Sequence, residues 1–200
     1  ADRHSALHYL DTIYHGIEEN DFRFVENPAD YLLFFGRIHP DKGTHDAIQI
    51  AKAAQKKLII AGIVQDKNYY KEKVAPYIDG EQIIFAGHAG PEERNELLGR
   101  AIALLHPVYF NEPFGLSVAE SMFCGTPVIA YNKGSMPEII KHELSGYLVN
   151  NIAEATDRVN NIAAIKRKHC SLYAREKFSR DKMATRYAAA YEYVCSNPLK

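Results

Sequence analysis

Net charge is almost absent from this chain. Lys and Arg number 24 against 25 Asp and Glu, so no long-range field draws it to nucleic acid or to an anionic membrane. Cysteine is scarce, with Cys124, Cys170 and Cys195 the three present in 200 residues. An odd and widely spaced set builds neither a disulfide framework nor a zinc site, and implies free thiols in a reducing compartment. No apolar run reaches the roughly 18 residues that span a bilayer, and no secretory leader is visible. Solenoid repeats, low-complexity tracts and nucleic-acid motifs are also missing. What remains is one domain of ordinary size, long enough for a real core. It starts at Ala1 rather than Met, the expected mark of a processed or excised fragment.

Apolar runs alternate with helical patterns along the chain. Residues 31–36 form a continuous apolar run closed by Gly36, as a strand buried on both faces would be. Ala47, Ile48, Ala51 and Ala54 then mark one helical face within 44–54. Strands are predicted at 58–62, 82–87, 101–105, 127–131 and 146–149, and helices at 69–78, 91–100, 116–124 and 137–141. Beyond Asn150 the pattern is helical to near the end. Strand–helix units in succession specify a doubly wound α/β fold, a parallel sheet of about six strands covered on both faces, with a helical tail. Ligands bind outside the carboxyl ends of such strands, so the residues just after each strand carry the chemistry.

The segment after the fourth strand, Asn111-Glu112-Pro113-Phe114-Gly115-Leu116-Ser117-Val118-Ala119-Glu120, is the most informative. Pro113 disfavours helix at Glu112, Gly115 permits a tight turn, and the sequence is helix-compatible from Leu116. Glu112 is thus placed on a loop at a helix N-terminus, with Glu120 about one turn inside. Free N–H groups at such a terminus suit a phosphate, and carboxylates on either side accept hydrogen bonds from hydroxyls. Two such Glu residues taken alone are also compatible with ordinary loop and helix surface.

After the first strand, Gly36-Arg37-Ile38-His39-Pro40-Asp41-Lys42-Gly43 puts two cations before a helix, where they could neutralise a diphosphate or simply face solvent. Its glycine spacing is neither that of a P-loop nor that of a dinucleotide fingerprint. The loop after the second strand offers backbone room and little else. The loop after the third, Gly87-His88-Ala89-Gly90, carries a histidine able to stack on a base and equally able to sit in water.

Taken in order, G-R-x-x-x-x-K-G, the Glu loop, Gly125-Thr126-Pro127-Val128-Ile129-Ala130 and Gly134-Ser135-Met136-Pro137-Glu138 resemble the C-terminal, donor-binding domain of retaining GT-B glycosyltransferases of family 4, the glycosyl transferases of group 1. The resemblance covers about residues 12–194. It implies that Arg37 and Lys42 hold the donor phosphates, and that Glu112 with the backbone of Phe114, Gly115 and Leu116 meets the sugar. Glu120 would bind the ribose, and Gly36 and His88 would border the nucleotide. The donor would be a UDP- or GDP-linked hexose, with no cofactor and no bound metal, and the leaving diphosphate would be eased off by cations and amides. Glu138 reads better as a helix-start residue than as a ligand.

Only the C-terminal half of such an enzyme is matched. The expected division is an interdomain connector over 1–30, a nucleotide-sugar-binding domain over 31–178 and a crossover helix and tail over 179–200. The tail's apolar stripe of Met183, Tyr187, Tyr191 and Val194 would lack its natural cover. The acceptor (a sugar, a lipid-linked glycan or another hydroxyl) would come through the missing N-terminal domain. A cytoplasmic place is expected, with peripheral contact to the inner membrane face in the full-length protein. Three other readings stay open: a sugar-nucleotide-binding module without turnover, a GT-B epimerase or phosphorylase, and a glycosidase-like carboxylate pair.

Overall fold

Six short apolar runs become strands, and their order across the sheet creates the site. The structure, a computed structural model, describes residues 9–197. The strands are β1 (Leu32–Phe35), β2 (Leu58–Ala61), β3 (Ile83–Gly87), β4 (Ala103–His106), β5 (Val128–Tyr131) and β6 (Gly146–Val149). All neighbours are parallel, in the order β3-β2-β1-β4-β5-β6. Leu32 lies opposite Leu58 on one side and Ala103 on the other, so β1 and β4 meet at the centre, where the winding reverses. In an open α/β sheet that reversal leaves a crevice at the carboxyl ends. Every residue of β4 and β5 is buried, as strands covered on both faces require.

The covering helices are α1 (Thr44–Ala53), α3 (Pro91–Arg100), α4 (Leu116–Phe123), α5 (Met136–Ile139), α6 (Ile152–Asn160), α7 (Arg167–Phe178) and α8 (Arg180–Ser196). Local chemistry sets their ends. Pro91 occupies the first turn of α3, where its missing N–H costs nothing. Asn151 caps α6 by accepting from Glu154 N, and Ser179 caps α8 by accepting from Lys182 N.

Most ends shift by a residue or two, and two elements differ in a way that matters. The predicted 69–78 helix is a composite: α2 (Lys67–Tyr69) runs into a π-helical stretch at Tyr70–Val74 and a 3-10 turn at Ala75–Tyr77. Pro76 explains the break, since its ring clashes with an α-helical carbonyl and it donates no hydrogen bond. The fourth strand lies two residues further along on entry and one on exit, and includes His106, which pairs in register with Ala130.

The connector and the tail are tied together. Ile17 N donates to Phe178 O at 2.8 Å and Arg180 N to Ile17 O at 2.9 Å, while Arg186 pairs with Asp11. Residues 1–8 of the expected connector and 198–200 of the expected tail lie outside the described residues. Along α8, Met183 is partly buried under Gly16, whose N–H points at its sulfur, and Tyr187, Tyr191 and Val194 are exposed. Cys124, Cys170 and Cys195 are free thiols.

Candidate functional site

A cleft of about 460 Å³ opens at the β1/β4 crevice, lined on one side by Gly36, Arg37 and Lys42 and on the other by Glu112 through Ser117 with Glu120. The loops after β1 and β4 press together to make it. Gly43, at φ 69°, has so little room that an added Cβ would lie 2.0 Å from Pro107 O.

Lys42 is half-enclosed, and its Nζ donates to Glu112 Oε2 at 2.5 Å, with the ammonium 4.5 Å from the Phe110 ring centre. Arg37 is exposed at the rim, where Nη1 donates to Gln65 Oε1 at 2.5 Å. The two cations therefore flank one opening, Lys42 held by a carboxylate and Arg37 by an amide. The Glu112 backbone is fixed from behind by the loop after β5. Ser135 N donates to Glu112 O at 2.9 Å and Ser135 Oγ to Phe114 O at 3.0 Å. This is what Gly134-Ser135 does, a role the sequence does not disclose.

α4 starts at Gly115, whose φ of 89° lies in the left-handed region that favours glycine. No side chain caps it, and the amides of Leu116 and Ser117 have no partner among the described residues. Open amides at the positive end of a helix dipole favour an anion. One turn further in, Glu120 is buried and lines the same cleft. Desolvation pushes its carboxyl upward, Arg94 pulls it back, and Asp21 adds to the upward push. The neighbouring Ser121 turns into the core, donating to Thr126 O at 3.1 Å.

The structure thus brings Gly36, Arg37, Lys42, Glu112, Phe114, Gly115, Leu116 and Glu120 to one cleft. His88 is exposed on the loop between β3 and α3 and is not among the residues lining that cleft. Glu138 lies in α5 and accepts from Tyr14 OH at 2.8 Å. Among the described residues no group of three His, Cys, Asp or Glu side chains is placed to hold a metal ion, and no helix is long and apolar enough to cross a membrane.

Three lining residues escaped the sequence reading. His15 arrives from the connector, its ring 5.2 Å from that of Phe114. Arg94 reaches over from α3, with Nη1 3.3 Å from Glu120 Oε1. His106 ends β4 with Nε2 buried and unpartnered among the described residues. Burial, aided by the Lys42 charge, lowers its pKa to about 3, so the imidazole is neutral. The strand-end rule pointed to His106, but nothing in the sequence signals its burial beside Lys42. Arg94 and His15 carry no local signal, because tertiary packing alone delivers them.

This geometry defines a Rossmann-like doubly wound α/β domain with a charged cleft at its topological switch point. The chain belongs to the glycosyl transferases group 1 family, whose pattern it matches over residues 17–178. It is 31% identical over 144 residues to the glycosyltransferase MJ1607 of Methanocaldococcus jannaschii, covering 68% of this chain and 37% of that protein. Its fold superposes with a TM-score of 0.80 on AviGT4, a glycosyltransferase involved in avilamycin A biosynthesis, at 25% identity over 92% of this chain and 58% of that one. Anabaena Alr3699/HepE, solved in complex with UDP and glucose, gives 0.76 at 21% identity over 90% of this chain and 56% of that one. The chain therefore spans 37% of the first of these relatives and 58% of the second, and its fold is that of one half of a GT-B glycosyltransferase.

Proposed function

We propose that this chain is the donor-binding half of a retaining glycosyltransferase that moves a hexose from a nucleoside diphosphate sugar to an acceptor hydroxyl. The observation that carries the reading is the convergence of Lys42, Glu112, the open N-terminus of α4 and the buried Glu120 on one cleft at the sheet's switch point. Each part of a sugar nucleotide has a chemical counterpart there. The diphosphate meets Arg37, Lys42 and the amides of Leu116 and Ser117. The hexose hydroxyls donate to Glu112, and the ribose hydroxyls to Glu120. The HepE complex with UDP and glucose, an equivalent fold, supports a UDP-sugar as the first donor to try.

Ligand arrival changes the Lys42–Glu112 pair. A phosphate competes for the ammonium while a sugar hydroxyl takes the carboxylate, so one ion pair is exchanged for two charge-assisted contacts. As the bond to the diphosphate breaks, negative charge grows on the oxygen facing Lys42, Arg37 and the α4 amides, which are already oriented to receive it. These groups supply the positive charge, so the reading calls for no divalent cation. The acceptor hydroxyl enters from the face the diphosphate leaves, and its proton passes to the departing phosphate. The acceptor belongs to the half of the enzyme outside this chain. Glu112 is an orienting ligand in this scheme, neither nucleophile nor base.

The test separates sugar from phosphate. Glu112→Ala is expected to weaken UDP-glucose binding by roughly 1–3 kcal/mol, the scale of a hydrogen bond to a charged group. Free UDP should bind as well as before or slightly better, because Lys42 is released. Equal weakening of both ligands in calorimetric titration rules out the sugar-facing role.

A further inference from the structure

Five helix arginines among the described residues are partly enclosed: Arg186 pairs with Asp11, Arg158 lies 4.9 Å from the Tyr147 ring centre, and the other three are not satisfied alike. Arg167 donates to Val25 O, Gly99 O, Ala101 O and Thr126 Oγ1. Arg175 donates to Ser171 Oγ, Glu19 Oε2, Phe22 O and Phe123 O. Arg94 has one acceptor, Glu120 Oε1 at the long distance of 3.3 Å, and its Nε is buried without a partner among the described residues. Its guanidinium lies 5.1 Å from the Phe22 ring centre. Burying that Nε–H without an acceptor costs stability that a purely structural arginine would recover. Arg167 and Arg175 tie strands, loops and helices together. Arg94 instead lines the cleft and touches its buried carboxylate.

Resting on the donor-site reading above, we propose that Arg94 is a positioning residue for nucleotide recognition. It holds the Glu120 carboxylate as an ion-paired acceptor facing the cleft, and thereby sets the preference for a ribose over a 2′-deoxyribose. Two vicinal hydroxyls can both donate to a carboxylate, whose oxygens only accept, whereas a carboxylic acid offers a competing O–H. The charged groups that act on Glu120 are Arg94 from α3, which favours the carboxylate, and Asp21 from the segment before β1, which opposes it. Burial opposes it too, so Arg94 is the group that favours the acceptor form.

The experiment is calorimetric titration of the chain with UDP and 2′-deoxy-UDP, and with GDP and 2′-deoxy-GDP, from about pH 5 to about pH 8. The wild type is expected to prefer the ribonucleotide by about tenfold or more, as one lost hydrogen bond to a charged group implies. That preference fades as pH falls through the Glu120 titration. Arg94→Met is expected to bring the ratio towards one and move the fading to higher pH, while Arg94→Lys restores part of both. Glu120→Gln should abolish the pH dependence, and the double variant should be no worse than Glu120→Gln alone, because the two residues act as a unit. Should Arg94→Met fail to fold, Arg94→Lys decides, with a reduced ratio and a pH midpoint near wild type expected. The proposal is overturned if the ratio survives in the Arg94 variants, or if the pH midpoint survives in Arg94→Met. It is also overturned if ribo- and deoxyribonucleotides weaken equally, as a direct Arg94–phosphate contact would give. A wild type that binds nucleotides without ribose preference removes this proposal and leaves the phosphate roles standing. A wild type that binds no nucleotide removes the donor-site reading itself, and this proposal with it.

Discussion

His106 shows how much one side chain can encode. It ends the central strand β4, lines the cleft, and is kept neutral by burial and by the Lys42 ammonium. Its pKa of about 3 lies below the ordinary value of 6.5, so between those values the unfolded chain takes up a proton that the folded one refuses. Stability from this group is complete above about pH 6.5 and is lost progressively as pH falls towards about 3. Urea midpoints measured across that window should fall with acid in the wild type and fall less in His106→Asn. An unchanged slope in the variant would mean the imidazole is already protonated in the fold. Reading the sequence brought Glu112, Lys42 and Glu120 to one place, and the structure lines one cleft with them, because residue type and position after a strand carry that information. It passed over His106, Arg94 and His15, whose importance depends on what surrounds them.

At the scale of elements, the site is a set of strand-end loops braced against one another. The loop after β5 supports the loop after β4 closely enough that a Cβ on Gly134 would lie 2.5 Å from Glu112 N and 2.7 Å from Glu112 O, at a φ of 55°. Gly134→Ala is therefore expected to displace Glu112 and weaken UDP-glucose binding by about tenfold, while thermal unfolding moves by only a few degrees. A variant with unchanged sugar-nucleotide affinity would show that the brace is dispensable. Most elements were legible: unbroken apolar runs gave the strands, and Gly115 with Pro113 gave the start of α4. The composite at Lys67–Tyr77 was not, because helical spacing of apolar residues does not report the local strain that Pro76 creates. The braces between loops were not legible either, since Gly134 and Ser135 read as any other turn.

On the scale of the whole molecule, partly enclosed arginines join segments remote in sequence. Arg167 Nε donates to Val25 O at 2.7 Å and its Nη atoms to Ala101 O at 2.9 Å and Gly99 O at 2.5 Å, pinning the lead-in segment and the end of α3 to α7. Arg167→Met leaves those carbonyls without their donor and should cost about 3 kcal/mol or more in chemical denaturation. A loss below about 1 kcal/mol would show that water replaces the guanidinium. The connector enters the same framework. It pairs with the α7–α8 junction through Ile17 and sends His15 to the cleft, so the segment leading into the domain touches the candidate site. The parallel sheet and its switch point were legible from the alternation of strand and helix alone, but the ties that close the domain are backbone acceptors, which no sequence motif marks. The central claim, that this cleft holds a sugar nucleotide, is tested most directly by calorimetric titration of wild type and Glu120→Ala with UDP, GDP, ADP and their glucose or mannose conjugates. The account predicts saturable binding of one base without added metal, weakened by roughly 1–3 kcal/mol in Glu120→Ala. A folded wild type that binds none of them, or a Glu120→Ala variant that binds as tightly as wild type, would contradict it.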